Sequence, residues 1–300
     1  MKTQLETELL PVKSSFLSDF LQLTKMRLAL SVVFSSLAGY GIAADQFDMI
    51  TAMYLFIGGY AMVGASNAYN QILEKDLDAL MQRTKNRPLP SGRMDKTTAQ
   101  VIAVSLTLIG ALALMAINTK TAVFGMLSVL LYVCFYTPLK TKTPLSVFIG
   151  AIPGAIPFML GWVAHTGSFG IEPGVLFMVQ FFWQFPHFWA IGWQLEADYK
   201  KAGFKMLPTG KADQATAFQI VFYIIWTIIL SITPHTVYTG TLSISLWSCV
   251  ALVVLGIGFL YFGLRLMRFK TPQEARKLTY ASIGYITLVQ LIYVIDKFIF

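Results

Sequence analysis

The stretch Leu145-Ser-Val-Phe-Ile-Gly-Ala-Ile-Pro-Gly-Ala-Ile-Pro-Phe-Met-Leu-Gly-Trp-Val-Ala164 holds 20 residues and no charge. As a helix it rises ~30 Å, the thickness of a bilayer's hydrocarbon core. Inside lipid only a helix satisfies all of its own backbone polar groups, so the stretch reads as a membrane-spanning helix. Its tandem Gly-Ala-Ile-Pro repeat sets Gly150 and Gly154 at a small-residue packing spacing. Pro153 and Pro157 release backbone carbonyls, which predicts either a packing bend or a widened cavity.

Further apolar runs lie near 28–44, 50–69, 98–117, 121–137, 174–195, 216–233, 241–264 and 278–295, making nine with the first. Composition agrees: 56% of the 300 residues are hydrophobic and 13% charged, against about a quarter charged in an average soluble domain. The expected fold is therefore all-α, a polytopic bundle of nine transmembrane helices forming one domain over 1–300. No linker or low-complexity stretch divides it.

Of 23 Lys and Arg, 21 fall in the N-terminal segment or after the second, fourth, sixth and eighth runs, leaving only Lys120 and Lys297 opposite. Short basic loops stay cytoplasmic. This places the N-terminus and the segment 1–24 inside and the C-terminus outside. The net charge of +8 is then a topology signal and calls for no nucleic acid. Glu6, Glu8 and Asp19 argue against a transit peptide, so the expected location is a bacterial inner membrane. Cys134 and Cys249 fall within apolar runs and suggest neither disulfides nor zinc.

Polar chemistry gathers on the inner side. Asn70, Glu74 and Asp78 recur every four residues and share a face if one helix carries all three. Like charges so stacked repel, and a cation would relieve that. Two carboxylates and an amide oxygen suit Mg²⁺ shared with a phosphorylated substrate. Arg83, Lys85 and Arg87 follow closely, ready for the remaining phosphate oxygens. A second acid-then-base segment, Glu196-Ala-Asp198-Tyr199-Lys200-Lys201, ends the sixth run. Residues two apart point away from each other on a helix, so only one acid can face the first cluster; the expectation falls on Asp198. His187 lies among Phe181, Phe182, Trp183, Phe185, Phe188 and Trp189 and reads either as structural or as a functional intramembrane group. Tyr136, Lys140 and Lys142 after the fourth run, and Lys25 and Arg27 before the first, read alone as anchors.

Asn-x-x-x-Glu-x-x-x-Asp followed by Met81-x-Arg83-Thr-Lys-Asn-Arg87-Pro resembles the first aspartate-rich motif of the UbiA superfamily. Tyr136-Thr-Pro-Leu-Lys140, the Gly150–Pro157 repeat, Trp183-Gln-Phe-Pro-His-Phe-Trp189 and Asp198-Tyr-x-x-Ala-Gly-x-x-Met-Leu-Pro208 resemble its haem-modifying branch. The resemblance implies transfer of farnesyl from farnesyl diphosphate to a vinyl group of protohaem IX, giving haem O. It implies metal on Asn70, Glu74, Asp78 and Asp198, which form the catalytic set, and diphosphate on Arg83, Lys85, Arg87, Lys140 and Lys142, with Tyr136 and Tyr199 beside them. It also implies haem at His187, the lipid bilayer as surroundings, and haem A synthase or terminal oxidase assembly factors as partners. The rivals are a related prenyltransferase acting on an aromatic or quinone precursor, and a transporter. A transporter usually gathers polar residues at the midplane on broken helices, whereas these gather at one face.

Overall fold

The computed structural model describes residues 14–299. The expectations resting on Glu6, Glu8 and the rest of 1–13 lie outside the described residues. Among the described residues nine long helices run in order: α1 Met26–Ala43, α2 Met49–Leu73, α3 Lys96–Met115, α4 Thr119–Leu139, α5 Ser146–Thr166, α6 Ile171–Gln194, α7 Gln214–Ile232, α8 Leu246–Phe269 and α9 Pro272–Ile299. The described residues contain no strand. All but α6 are long and apolar enough to cross a membrane. α6 spans 24 residues, but Glu172, Gln180, Gln184, His187 and Gln194 lower its hydropathy.

Each helix packs on the next in sequence, and α9 returns to α1, so the bundle closes as a ring. α1 also packs along α5, and α6 along α9. At the α1–α5 crossing, a Cβ on Gly39 would strike the Phe158 carbonyl and one on Gly161 the Ser36 carbonyl. Only glycine lets two backbones approach this closely. α5 runs unbroken through Pro153 and Pro157. Both prolines line the central cavity, which favours the cavity reading of the repeat over a packing bend. The outer surface is apolar: Leu112 is 72% exposed and Val254 and Ile257 62% each. Such a continuous surface belongs against lipid rather than water.

Alternation brings the C-terminal ends of the even helices to the same end of the bundle as the N-terminal ends of the odd ones. At this end a short amphipathic helix, Phe16–Leu23, precedes α1 and is held by Asp19 to Arg93 at 2.9 Å. His165 and His235, which the sequence leaves without a role, are structural: His165 packs edge-on against Tyr40, and His235 meets the Ile244 carbonyl.

Candidate active site

A cavity of about 750 Å³ enters the bundle at this end, within the usual size of small-molecule sites. Asn70, Glu74 and Asp78 line its mouth and are all buried. The helix expected to carry all three is interrupted. α2 stops at Leu73, Glu74 turns out of helical geometry (φ −98°, ψ 10°), and a separate short helix covers Lys75–Leu80. The Asp78 N–H still donates to the Glu74 carbonyl at 2.7 Å, so the side chains stay together across the break.

The repulsion that the sequence assigns to a cation is met by bases from this chain. Arg87 donates to Asp78 at 2.6 Å, and Lys140 Nζ lies 2.8 Å from Glu74 Oε1. Lys140 arrives there through local distortion of α4. Residues Leu131–Tyr136 form a π-helical turn, and the Thr137 hydroxyl donates to the Tyr132 carbonyl at 2.9 Å. An extra residue in the turn redirects the chain beyond it, a recurrent device at functional sites. Thr137 in turn accepts the Asn70 amide at 3.2 Å, and Lys140 Nζ sits 4.6 Å above the Tyr136 ring. Gly150 makes room: a Cβ there would collide with Tyr136.

The carboxylates keep unspent capacity. Asp78 Oδ1 is buried without a partner among the described residues. Glu74 Oε1 contacts Lys140 but is not aligned for a hydrogen bond. Asn70 gives its N–H to Thr137, so its oxygen points elsewhere. Three hard oxygens with spare lone pairs fit Mg²⁺. No group of three Asp, Glu, His or Cys side chains converges among the described residues, so any such site draws on the amide.

The second segment contributes differently. α6 ends at Gln194, Leu195 leaves helical geometry, and a six-residue helix covers Glu196–Lys201. Asp198 turns toward the segment that follows the first cluster and lines no part of the cavity: its oxygens accept from the Gln82 and Arg83 N–H groups, each at 3.2 Å. Burial acts to raise its pKa, yet those N–H groups and Lys201 together hold it below the usual carboxylate range. Glu196 turns away, pairing with Lys200 and accepting from Ala212 N–H. Two expected diphosphate residues are not gathered in. Lys85 and Lys142 are exposed and line no part of the cavity, because the turns carrying them point their side chains outward. Arg83, Arg87, Tyr136, Lys140 and Tyr199 all line it.

Lys25, which reads from the sequence as an anchor, also lines the cavity. It sits in the left-handed region (φ +49°), rare for a residue with a Cβ, where the short N-terminal helix meets α1. Burial, and then the charges of Arg87 and Lys140, lower its pKa to about 7.

His187 lies on the cavity wall of α6, stacked on Trp183 at 4.8 Å. Its Nδ1 is 2.8 Å from the Ser282 hydroxyl, which donates its single proton to the Thr279 carbonyl. With that proton on the carbonyl the hydroxyl accepts from His187 Nδ1, the tautomer that leaves the Nε2 lone pair free.

Residues 32–286 match the model of the UbiA prenyltransferase family. The chain belongs to this family, and its apolar helices make it a multi-pass membrane protein. It is 62% identical over 286 residues to the protoheme IX farnesyltransferase of Christiangramia forsetii, covering 95% of each chain. It is 58% identical to that of Flavobacterium psychrophilum, covering 96% of this chain and 97% of the relative. Among solved structures, one described under the biosynthesis of digeranylgeranylglyceryl phosphate synthase in membranes superposes with a TM-score of 0.77 at 19% identity, covering 94% of this chain and 98% of that one. A UbiA homolog from Archaeoglobus fulgidus bound to GPP and Mg²⁺ superposes at 0.67 and 14% identity, covering 93% and 98%. These likenesses bear on the fold alone.

Proposed function

We propose that this chain transfers the farnesyl group of farnesyl diphosphate to a vinyl group of protohaem IX, forming haem O and diphosphate. The observation that carries the reading is a buried carboxylate oxygen without a partner among the described residues, Asp78 Oδ1, at the basic mouth of a mainly apolar cavity. Names of relatives 55–62% identical over nearly the whole chain agree with it.

Asn70, Glu74 and Asp78 would hold Mg²⁺, which would supply positive charge against the departing diphosphate. Arg87, Lys140, Arg83 and Lys25 bind diphosphate oxygens; Arg87 and Lys140 leave their carboxylates to do so. Asp198 orients the backbone that carries Arg83. Tyr136 and Tyr199 form the wall beside the phosphates. The apolar lining keeps bulk water from the allylic cation. His187 presents Nε2 to the iron of the haem substrate.

On this reading all nine helices, α6 included, cross the membrane as one domain. The basic end faces the cytoplasm, with the N-terminus inside and the C-terminus outside, in a bacterial inner membrane. Haem A synthase or oxidase assembly factors would take the product. The test is purified protein in detergent with protohaem, farnesyl diphosphate and Mg²⁺, read by mass spectrometry. Haem O that disappears with EDTA is the expected result. Prenylation of an aromatic acceptor instead, with haem untouched, would keep the family and remove the haem assignment.

A further inference from the structure

Beside His187 the cavity wall carries polar atoms that farnesyl transfer itself does not use. Gln180, Gln184 and His187 stand at i, i+4 and i+7 on α6, one stripe facing the cavity. Gln180 Oε1 accepts from Gln290 Nε2 at 3.0 Å, and Gln290 also donates to Ser35. Gln184 Nε2 donates to the Ala151 carbonyl at 2.8 Å and to the Gln180 carbonyl at 3.2 Å. Both carboxamides are thus fixed in orientation. This leaves a donor, Gln180 Nε2, and an acceptor, Gln184 Oε1, neither with a partner among the described residues.

The depth of this pair is set by α5. Gly150 makes room for Tyr136 at the diphosphate end, and Gly154, four residues further in, makes room for Gln184, whose oxygen a Cβ would strike. Four residues rise ~6 Å, so Gln184 lies about one turn beneath the diphosphate clamp. A donor and an acceptor one turn apart on an apolar wall are what a single held water requires.

We propose that Gln180 and Gln184 hold a water that adds to the cation left on the haem side chain and so places a hydroxyl on the product; this rests on the haem prenylation reading. Departure of diphosphate leaves an allylic cation at C1 of the farnesyl chain. The terminal vinyl carbon bonds to C1, and the positive charge passes to the inner vinyl carbon beside the macrocycle. The held water bonds to that carbon through oxygen, and its proton passes to the released diphosphate, the strongest base nearby. Without a water in place the same carbon's neighbour loses a proton and an alkene forms. One water, held a turn below the clamp, meets the second cation while the first is spared.

The test measures the partition. Gln184→Leu and Gln184→Met are assayed with protohaem, farnesyl diphosphate and Mg²⁺, and the hydroxylated haem is compared with the alkene product, lighter by one water. The ratio should fall roughly threefold to tenfold, the loss of one hydrogen bond of ordinary strength. Where those variants do not fold, Gly154→Ala keeps every Gln184 atom while crowding its oxygen, and must shift the ratio the same way. Equal loss of both products, or an unshifted ratio, overturns the inference while leaving the prenylation reading intact. Wild-type protein that makes no haem O overturns the reading beneath it.

Discussion

The two acid-bearing segments share a plan and differ in what they grip. Each long helix halts at one residue, Glu74 or Leu195, and a six-residue helix comes next: Lys75–Leu80 in the first, Glu196–Lys201 in the second. In the first the carboxylates are buried against Arg87 and Lys140, with one oxygen unpartnered. In the second, Asp198 is 15% exposed and spends itself on two backbone N–H groups of the first. One segment holds charge in reserve. The other holds its neighbour in place.

The largest test of this contrast is Asp78→Ala. It removes the unpartnered oxygen and strands Arg87, so turnover should fall by roughly 10²–10³, the scale seen when one preorganised charge-stabilising group is lost. Steady-state production of haem O reads it. Asp78→Ala enzyme that prenylates normally would remove the first segment from the chemistry altogether. Next comes Asp198→Ala. If it only positions the backbone at Gln82 and Arg83, turnover should fall about tenfold and stability by about 1 kcal/mol. The turnover assay and thermal unfolding in detergent measure the two. A loss as large as that of Asp78→Ala, without destabilisation, would mean that both segments bind metal when substrate is present.

Smaller again is the effect of Ser282→Ala. With the hydroxyl gone, His187 Nδ1 loses its acceptor and the tautomer that frees Nε2 loses its preference. Haem affinity should weaken roughly threefold to tenfold, the worth of one ordinary hydrogen bond. Visible titration with protohaem measures it. His187→Ala should remove the imidazole–iron signature from the haem spectrum; its persistence would place the iron elsewhere.

These contrasts also mark what the sequence makes legible. Uncharged runs such as 145–164 translate directly into helices, because in lipid the backbone has no alternative. The four-residue recurrence of Asn70, Glu74 and Asp78 correctly brings the three together, yet the break at Glu74 carries no Gly or Pro to announce it. The π-helical turn before Thr137 has one sign in the sequence, Pro138, which has no N–H to continue the α-helical bonding. Partnerships across long separations, such as His187 with Ser282, arise from packing between helices and leave no local pattern. Lys85 and Lys142 show the converse error. Their charge and spacing match their neighbours, but the turn geometry that aims a side chain is not written in residue type.

Lys25 sharpens the contrast most finely, because it adds to the first segment a charge that pH can remove. With its pKa lowered to about 7 by burial beside Arg87 and Lys140, the free protein is half charged there near neutrality. Bound diphosphate favours the ammonium, so binding above about pH 7 takes up a proton and weakens as pH rises. For a group that is fully protonated in the complex, the affinity for farnesyl diphosphate should drop roughly fivefold between pH 7 and pH 8. Lys25→Arg keeps its charge across that range and should remove this part of the slope, leaving the ligand's own ionisation. Equilibrium binding of farnesyl diphosphate to the two proteins across this interval gives the difference. Parallel slopes would show that Lys25 anchors the end of α1 without touching the phosphates.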